Sequence, residues 1–523
     1  MILGNYTSIT QTNGVFYGDF RFYGLEFYGQ DSWKVNRKLT LEFGARYVYL
    51  GPTYTLGKFL QPYFDPSRYD ASKAVRIETA SGLRNGSIIP NSGDPFNGIV
   101  IEGSGIPKGF AKHRKNQVSP RFGFAYDPWG DGKTSIRGGF GNFFERIRQN
   151  VNSFDGLANP PLTYNPRLYG GNVDSMSPDL ISGGTRFPVA LTTFDAQGLV
   201  PTIYTWSLGI QRELPGQTSI DVGYVANTAR HLQYRRDINQ LALGTTTNTA
   251  ILQQANNTAN AVRPFKGFTN INFTDFGASS SYHALQARLS RRFASNLTMN
   301  ANYTWSKAIS EVDTDGAAIG YYLDRGRERG PAGFDRRQVF TLDYVYQLPN
   351  VGSKWMNNAA GRKVFDGWQV SGITRFWSGT PLTITSNGDA GTLNGATGVR
   401  ADYLSGDFYP STKSRAEYFN PLVFARPLNG SLGTTGKGIL HGPGINNWDI
   451  SLFKNTKITE RVTTQFRFET FNTFNHTQWA GINTGISGAN PGAQVTAATR
   501  GTSGQVTSTR DPRNIQFGLK IYF

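Results

Sequence analysis

Apolar and polar residues alternate along this chain with a period of two. In Leu297-Thr298-Met299-Asn300-Ala301-Asn302-Tyr303-Thr304-Trp305-Ser306 every odd position is apolar or aromatic and every even position is polar. Successive side chains of a strand point to opposite faces, so this segment reads as a strand with one greasy and one wet face; wound as a helix, its apolar residues would scatter around the whole circumference. The pattern recurs at 39–49, 118–126, 204–212, 218–226, 285–291, 340–348, 368–376, 448–454, 462–470 and 515–523, and less regularly at 20–33 and 134–144. Most of these runs are nine to eleven residues, about what a tilted strand needs to cross a bilayer.

The connections alternate as well. Segments 34–38, 128–133, 213–217, 293–296 and 455–461 are short and 349–365 is intermediate, whereas 51–116, 145–201, 227–280, 307–337, 378–445 and 472–512 are long. A soluble sandwich or propeller has shorter strands and more even turns. Tight periplasmic turns and large external loops are the habit of an outer-membrane barrel. The turns carry suitable chemistry, as in Asp127-Pro128-Trp129-Gly130-Asp131-Gly132 and Leu214-Pro215-Gly216. The fold predicted is therefore all-β: an antiparallel transmembrane outer-membrane β-barrel with long extracellular loops and about thirteen or fourteen strands present. Asn36, Asp131 and Gly216 are expected to face the periplasm, and Asn85, Gly171 and Asn429 the exterior. Strand 20–33 would run downward, so a further upward strand is expected before it or within 2–12. Residues 1–523 are read as one barrel domain, N-terminally truncated, because Met1-Ile2-Leu3-Gly4 also lacks the features of a signal peptide.

Composition fits this reading. Hydrophobic residues make up only 38% of the 523, yet aromatics reach 13%, which disfavours disorder. Mean hydropathy is −0.40 and no run of about 18 apolar residues exists, which disfavours a helical membrane protein. With no cysteine, thiol catalysis, thiolate metal sites and disulfides are excluded. The net charge of +17 is spread over strands and loops without a basic helix or RNA-binding motif. Nucleic acid is not an expected partner; anionic membrane lipid is the better fit.

Motifs for chemistry are sparse. Gly132-Lys133-Thr134 lacks the first glycine of a phosphate loop and precedes a strand, so no helix N-terminus is available. Glu311-Val312-Asp313-Thr314-Asp315-Gly316 resembles half of a calcium loop, which makes Glu311, Asp313 and Asp315 candidate ligands, but Tyr322 stands where a bidentate Glu belongs. The five histidines lack paired metal spacing. Glu42 with Arg46, and Arg467 with Glu469, share polar strand faces and read as lumen ion pairs. No catalytic residue, enzyme activity or cofactor is expected. Aromatics near strand ends, such as Tyr47, Phe140, Tyr303, Trp305 and Tyr344, suit headgroup-level girdles. Trp377 and Trp479 are candidates for stacking on a ligand.

The last residues, Gln516-Phe517-Gly518-Leu519-Lys520-Ile521-Tyr522-Phe523, resemble the strand signal read by the barrel-assembly machinery, with Gln516, Gly518, Ile521 and Phe523 at its positions. Segments "YGQDSWKVNRKLTLEFGARYVY", "SPRFGFAYDPWGDGKTSIRGGFGNFFER", "WSLGIQREL", "NYTWSKAI", "FDRRQVFTLDYVYQLP", "GWQVSGITRFWSGTPL" and "NNWDISLFKNTKI…FRFETFNTFNH" resemble, in order along nearly the whole chain, the TonB-dependent receptors with an Oar-like barrel. The resemblance implies a barrel of about 22 strands preceded by a plug and a regulatory-like domain, neither of which is visible here. It implies uptake of a scarce substrate such as a siderophore, cobalamin, glycan or peptide across a Gram-negative outer membrane. The implied partners are outer-membrane lipid and lipopolysaccharide, the barrel-assembly machinery, and the TonB complex through an N-terminal region. The alternative is an outer-membrane anchor, adhesin or secretion-related protein that uses the barrel structurally.

Overall fold

The computed structural model describes residues 4–523 apart from 58, 113, 147–154, 176–184, 255–257, 295, 353–355, 357, 393–397 and 488–489. His113 therefore lies outside the described residues. Thirteen strands follow one another as an antiparallel meander: β1 (Gly24–Lys34), β2 (Leu39–Leu50), β3 (Val118–Tyr126), β4 (Thr134–Phe144), β5 (Thr202–Leu214), β6 (Thr218–Asp237), β7 (Phe268–Ala294), β8 (Leu297–Ser310), β9 (Gln338–Gln347), β10 (Trp368–Trp377), β11 (Ile445–Lys457), β12 (Thr463–Phe471) and β13 (Asn514–Tyr522). Each pairs with the next, and every segment picked out by alternation is one of them. No helix among the described residues is long and apolar enough to cross a membrane, which says nothing of strands.

Register keeps one face apolar across the whole wall. Phe43 pairs with Phe122, which pairs with Phe140. Leu285 pairs with Trp305, and Ala287 with Tyr303. Tyr303 pairs with Phe340, which pairs with Phe376. This face is the exposed one: Trp305 is 54% and Phe517 67% accessible. Such burial is inside-out for a soluble protein and correct for a wall bathed in hydrocarbon. Between these positions lie Glu42, Arg121, Arg137, Asp221, Asn300, Asp343 and Arg375, which form the inner face.

The short connections all sit at one end of the wall and the long ones at the other. In the 127–133 turn the Asp127 carboxylate accepts the amides of Gly130 and Gly132, both at positive φ, 75° and 72°. Only glycine takes that conformation without strain, so sequence fixes the tight reversal. Between β9 and β10 the intermediate connection holds a short helix, Ala359–Phe365, capped by Asn358. Cysteines placed at Asn36 and Asn429, both exposed, test the sidedness: an impermeant thiol reagent on intact cells should label position 429 and spare position 36. The opposite pattern would reverse the barrel.

Two expectations need correction. The first wall strand begins at Gly24, because Asp19–Arg21 instead pairs with Tyr54–Leu56. The segment considered for an extra upward strand does form one, Asn5–Thr10, but it pairs with Arg167–Asn172 in the second long connection rather than with the wall. Among the described residues no strand pairs with the outer edges of β1 and β13.

The long connections are folded rather than trailing. Loops 51–117, 145–201 and 238–267 pack Phe64, Leu191 and Phe265 around Phe268 and Ile271 at the outer end of β7 in one core, and the first two loops pack Tyr63, Phe110 and Phe194 into another. Loops 378–444 and 472–513 build a third from Ile384, Phe419, Phe424, Leu440, Ile486 and Val506. The β6–β7 ribbon rises beyond the rest of the wall to meet them. Its register shifts between Ala229 and Tyr234, where His231 takes φ 57°, a bulge that re-aims the ribbon.

Candidate functional site: the lumen wall and the folded loop cap

On the inner face of β1–β6, Gly44, Gly123, Gly139 and Gly141 floor a basin of about 940 Å³ bordered by Tyr28, Glu42, Arg46, Arg121, Arg137 and Phe143. At Gly44 the floor must stay bare, because a Cβ there would meet the Gln30 Cβ at 2.7 Å. Arg46 is ion-paired with Glu26 on β1. Arg121 lies 5.3 Å from the Phe143 ring centroid, and Arg137 donates from Nε to Ser135 Oγ at 2.9 Å. Arg121 and Arg137 therefore bring positive charge to a hollow wide enough for a protein segment or a small molecule, and guanidinium groups suit carboxylate or phosphate oxygens. Lower on the wall, Asn300 accepts from Ser290 Oγ and donates to Asp343, both at 2.8 Å.

The predicted lumen pairs form with other partners. Arg46 takes Glu26, not Glu42; Arg467 donates to Gln465 Oε1 at 2.7 Å and covers the Phe453 ring rather than bridging to Glu469. Glu42 and Arg46, four apart along one strand, are about 13 Å apart, whereas diagonal neighbours on adjacent strands are within about 8 Å.

In the loops, polar side chains tie one connection to another. Arg400 pairs with Glu328 at 2.7 Å and donates to the Arg327 carbonyl, joining the fifth loop to the fourth. Lys437 pairs with Asp313 at 2.8 Å across the same seam. Burial alone would raise the Asp313 carboxyl, but Lys437 and Ser310 bonding outweigh it and hold the group below the usual range. Asp195, by contrast, is pushed up by burial and by the nearby Asp275 charge.

The calcium candidates are not brought together. Glu311 faces Arg325 at 3.1 Å, Asp313 faces Lys437, Asp315 is exposed, and among the described residues no three acidic or histidine side chains converge. The two tryptophans occupy different surroundings. Trp377 ends β10 on the inner face, donates from Nε1 to Thr341 Oγ1 at 3.3 Å, and has Arg336 5.4 Å from its ring. Trp479 sits in the sixth loop, edge-on to Tyr418 at 6.1 Å, beside a recess of about 600 Å³. Gln516, Gly518 and Ile521 lie in β13, followed by the fully exposed Phe523; Gln516 and Gly518 are on the inner face, Ile521 and Phe523 on the outer. Pattern-reading passed over the arginine basin, although Arg121 and Arg137 stand at regular polar positions of their strands.

An antiparallel wall with an apolar exterior, a polar interior and all long loops at one end defines an outer-membrane β-barrel. The family comparison agrees: residues 1–516 match the model described as an outer membrane beta barrel domain, and the chain belongs to that outer-membrane family. No curated protein matches the sequence significantly. Among solved structures it is similar to the ferripyoverdine receptor of the Pseudomonas aeruginosa outer membrane (11% identity, 97% of this chain and 39% of that chain covered, TM-score 0.41). It is also similar to the Escherichia coli outer membrane transporter YddB (11%, 95% and 54%, 0.43). A third is the E. coli ferric-catecholate import receptor Fiu (9%, 96% and 45%, 0.40). The chain spans 39–54% of the length of these three.

Proposed function

We propose that this wall and its cap are the barrel of a TonB-dependent receptor that imports a scarce substrate: a siderophore, cobalamin, a glycan or a peptide. The observation that carries the reading is the cap itself: five long loops packed through their own apolar cores stand over an arginine-bearing polar lumen. A passive anchor needs only the lipid-facing side. A capture device needs ordered loops outside and a hydrophilic wall within, against which a plug can rest.

On this reading a plug and a TonB box lie upstream in the complete protein, and energy arrives through the TonB complex. Gln516, Gly518, Ile521 and Phe523 serve the barrel-assembly machinery, and lipopolysaccharide surrounds the outer rim. No catalytic step is involved. The test is uptake by cells lacking the gene, measured with a panel of ferric siderophores, cobalamin and oligosaccharides. At least one substrate should lose energised uptake, and a proton-motive-force uncoupler should abolish the same uptake in the parent. Unchanged uptake of every substrate, with surface attachment lost instead, would favour the anchor.

A further inference from the structure

We propose that the recess beside Trp479 binds the phosphorylated sugar headgroup of an outer-leaflet glycolipid. The inference rests on the membrane placement of the wall and not on transport.

Register sets the level of the recess. Asn446, on its lining, shares the outer face of β11 with Trp448, Ile450 and Leu452. Arg513 lies two residues before Ile515, the first residue of the outer apolar row of β13. Trp448 meets Phe376 at 5.5 Å and Phe474 at 5.7 Å, both edge-on, forming an aromatic girdle there. The recess thus opens directly above the lipid-facing band, at the depth of headgroups and on the side of the long loops.

Its chemistry is that of a sugar site. Asn446, Asn475, His476 and Gln478 line it together with the half-buried Trp479, which is edge-on to the buried Tyr418. Gln478 is buried and spent on the scaffold: its Oε1 accepts the Asn446 amide at 3.2 Å and its Nε2 donates to Asn447 at 3.1 Å. Asn446 Oδ1 accepts from Trp448 Nε1, and Asn475 Oδ1 accepts from the Arg513 amide. These bonds fix both amide planes, and among the described residues each Nδ2 is left to donate to a ligand hydroxyl. An aromatic ring with fixed amides beside it is what a pyranose ring and its hydroxyls require. Arg513, whose backbone amide bonds the lining residue Asn475, is exposed with its Nη1 3.4 Å from the Thr473 carbonyl, so its guanidinium can take a phosphate beside the recess. A soluble glycan would use the amides and rings, but it would have no use for the apolar face that continues below the opening. Acyl chains would lie on that face, along Trp448, Ile450 and Ile515.

The test uses the full chain extracted in mild detergent, stripped of lipid and titrated with rough-type lipopolysaccharide, with bound lipid counted by native mass spectrometry. Arg513→Glu and the isosteric Asn446→Asp each place a carboxylate where the phosphorylated headgroup would sit, and heat-modified gel mobility verifies that the variants are folded. Both should weaken the tightest-bound glycolipid by about tenfold or more, while Arg513→Lys retains most of the binding. Phosphatidylglycerol and the free, deacylated core oligosaccharide should compete poorly. Equal binding by wild type and both carboxylate variants would overturn the proposal. So would equal competition by phosphatidylglycerol, which would mean a generic anionic lipid, or by the deacylated oligosaccharide, which would mean a soluble sugar. Failure of the sidedness test described above would be read separately, from labelling on cells.

Discussion

Arginine at position 301 should destabilise the folded wall in lipid by roughly 2–4 kcal/mol, whereas arginine at position 300 should cost under about 1 kcal/mol. Ala301 pairs with Leu289 on one side and Leu342 on the other, within the continuous apolar face. A strand rises about 3.4 Å per residue, and tilt reduces this to roughly 2.4 Å along the membrane normal. From the turn before Leu297, Ala301 therefore lies near mid-membrane, where a guanidinium cannot snorkel to either interface. Asn300 is its neighbour in sequence but pairs with Ser290 and Asp343 on the inner face. Arginine there loses two hydrogen bonds and gains the Asp343 carboxylate as a partner. Folding titrations into lipid vesicles measure both. Equal costs would mean that the two faces are assigned wrongly or that the chain does not face hydrocarbon.

The wall was legible in sequence because lipid imposes the simplest pattern a strand can carry. Val118–Tyr126 needs no knowledge of its neighbours to be read: one face must be greasy, and the alternation says which. Side-chain partners were not legible, since a pairing such as Arg46 with Glu26 depends on cross-strand register. The cap was not legible either. Phe64 and Leu191 come from two different connections and Phe268 from the outer end of β7, and they meet only after the wall has brought those connections to one end. In aperiodic segments an apolar residue destined for a core looks the same as one left on a surface. The same holds for the candidate sites: Glu311, Asp313 and Asp315 are close in sequence, but their cations arrive from Arg325 and Lys437, the second of them 124 residues away.

Truncating Phe424 to alanine should open the outer part of the cap while leaving the wall intact, at a local cost of about 3–5 kcal/mol. The ring is fully buried, stacked on Phe408 at 5.9 Å and edge-on to Phe419 at 6.1 Å. Its backbone carries the seam between the two loops: the Phe424 carbonyl accepts the Val495 amide at 2.9 Å, and Ala425 bridges to Gln494. Loss of the ring therefore leaves a cavity in the apolar cluster that packs loop 472–513 against loop 378–444. The wall strands take no packing from this cluster; their stability comes from hydrogen bonds to neighbouring strands and from lipid. Opening should therefore be local, and the two parts should exchange independently. Hydrogen exchange on the detergent-solubilised protein distinguishes the cases. Amides of 382–440 and 479–506 should lose protection in Phe424→Ala, and those of β8 and β9 should not. Leu428→Ala, at a position 64% exposed in the same loop, should shift protection by no more than about 0.5 kcal/mol. If loops and strands lose protection together, cap and barrel form one cooperative unit and the cap is not an independently folded lid.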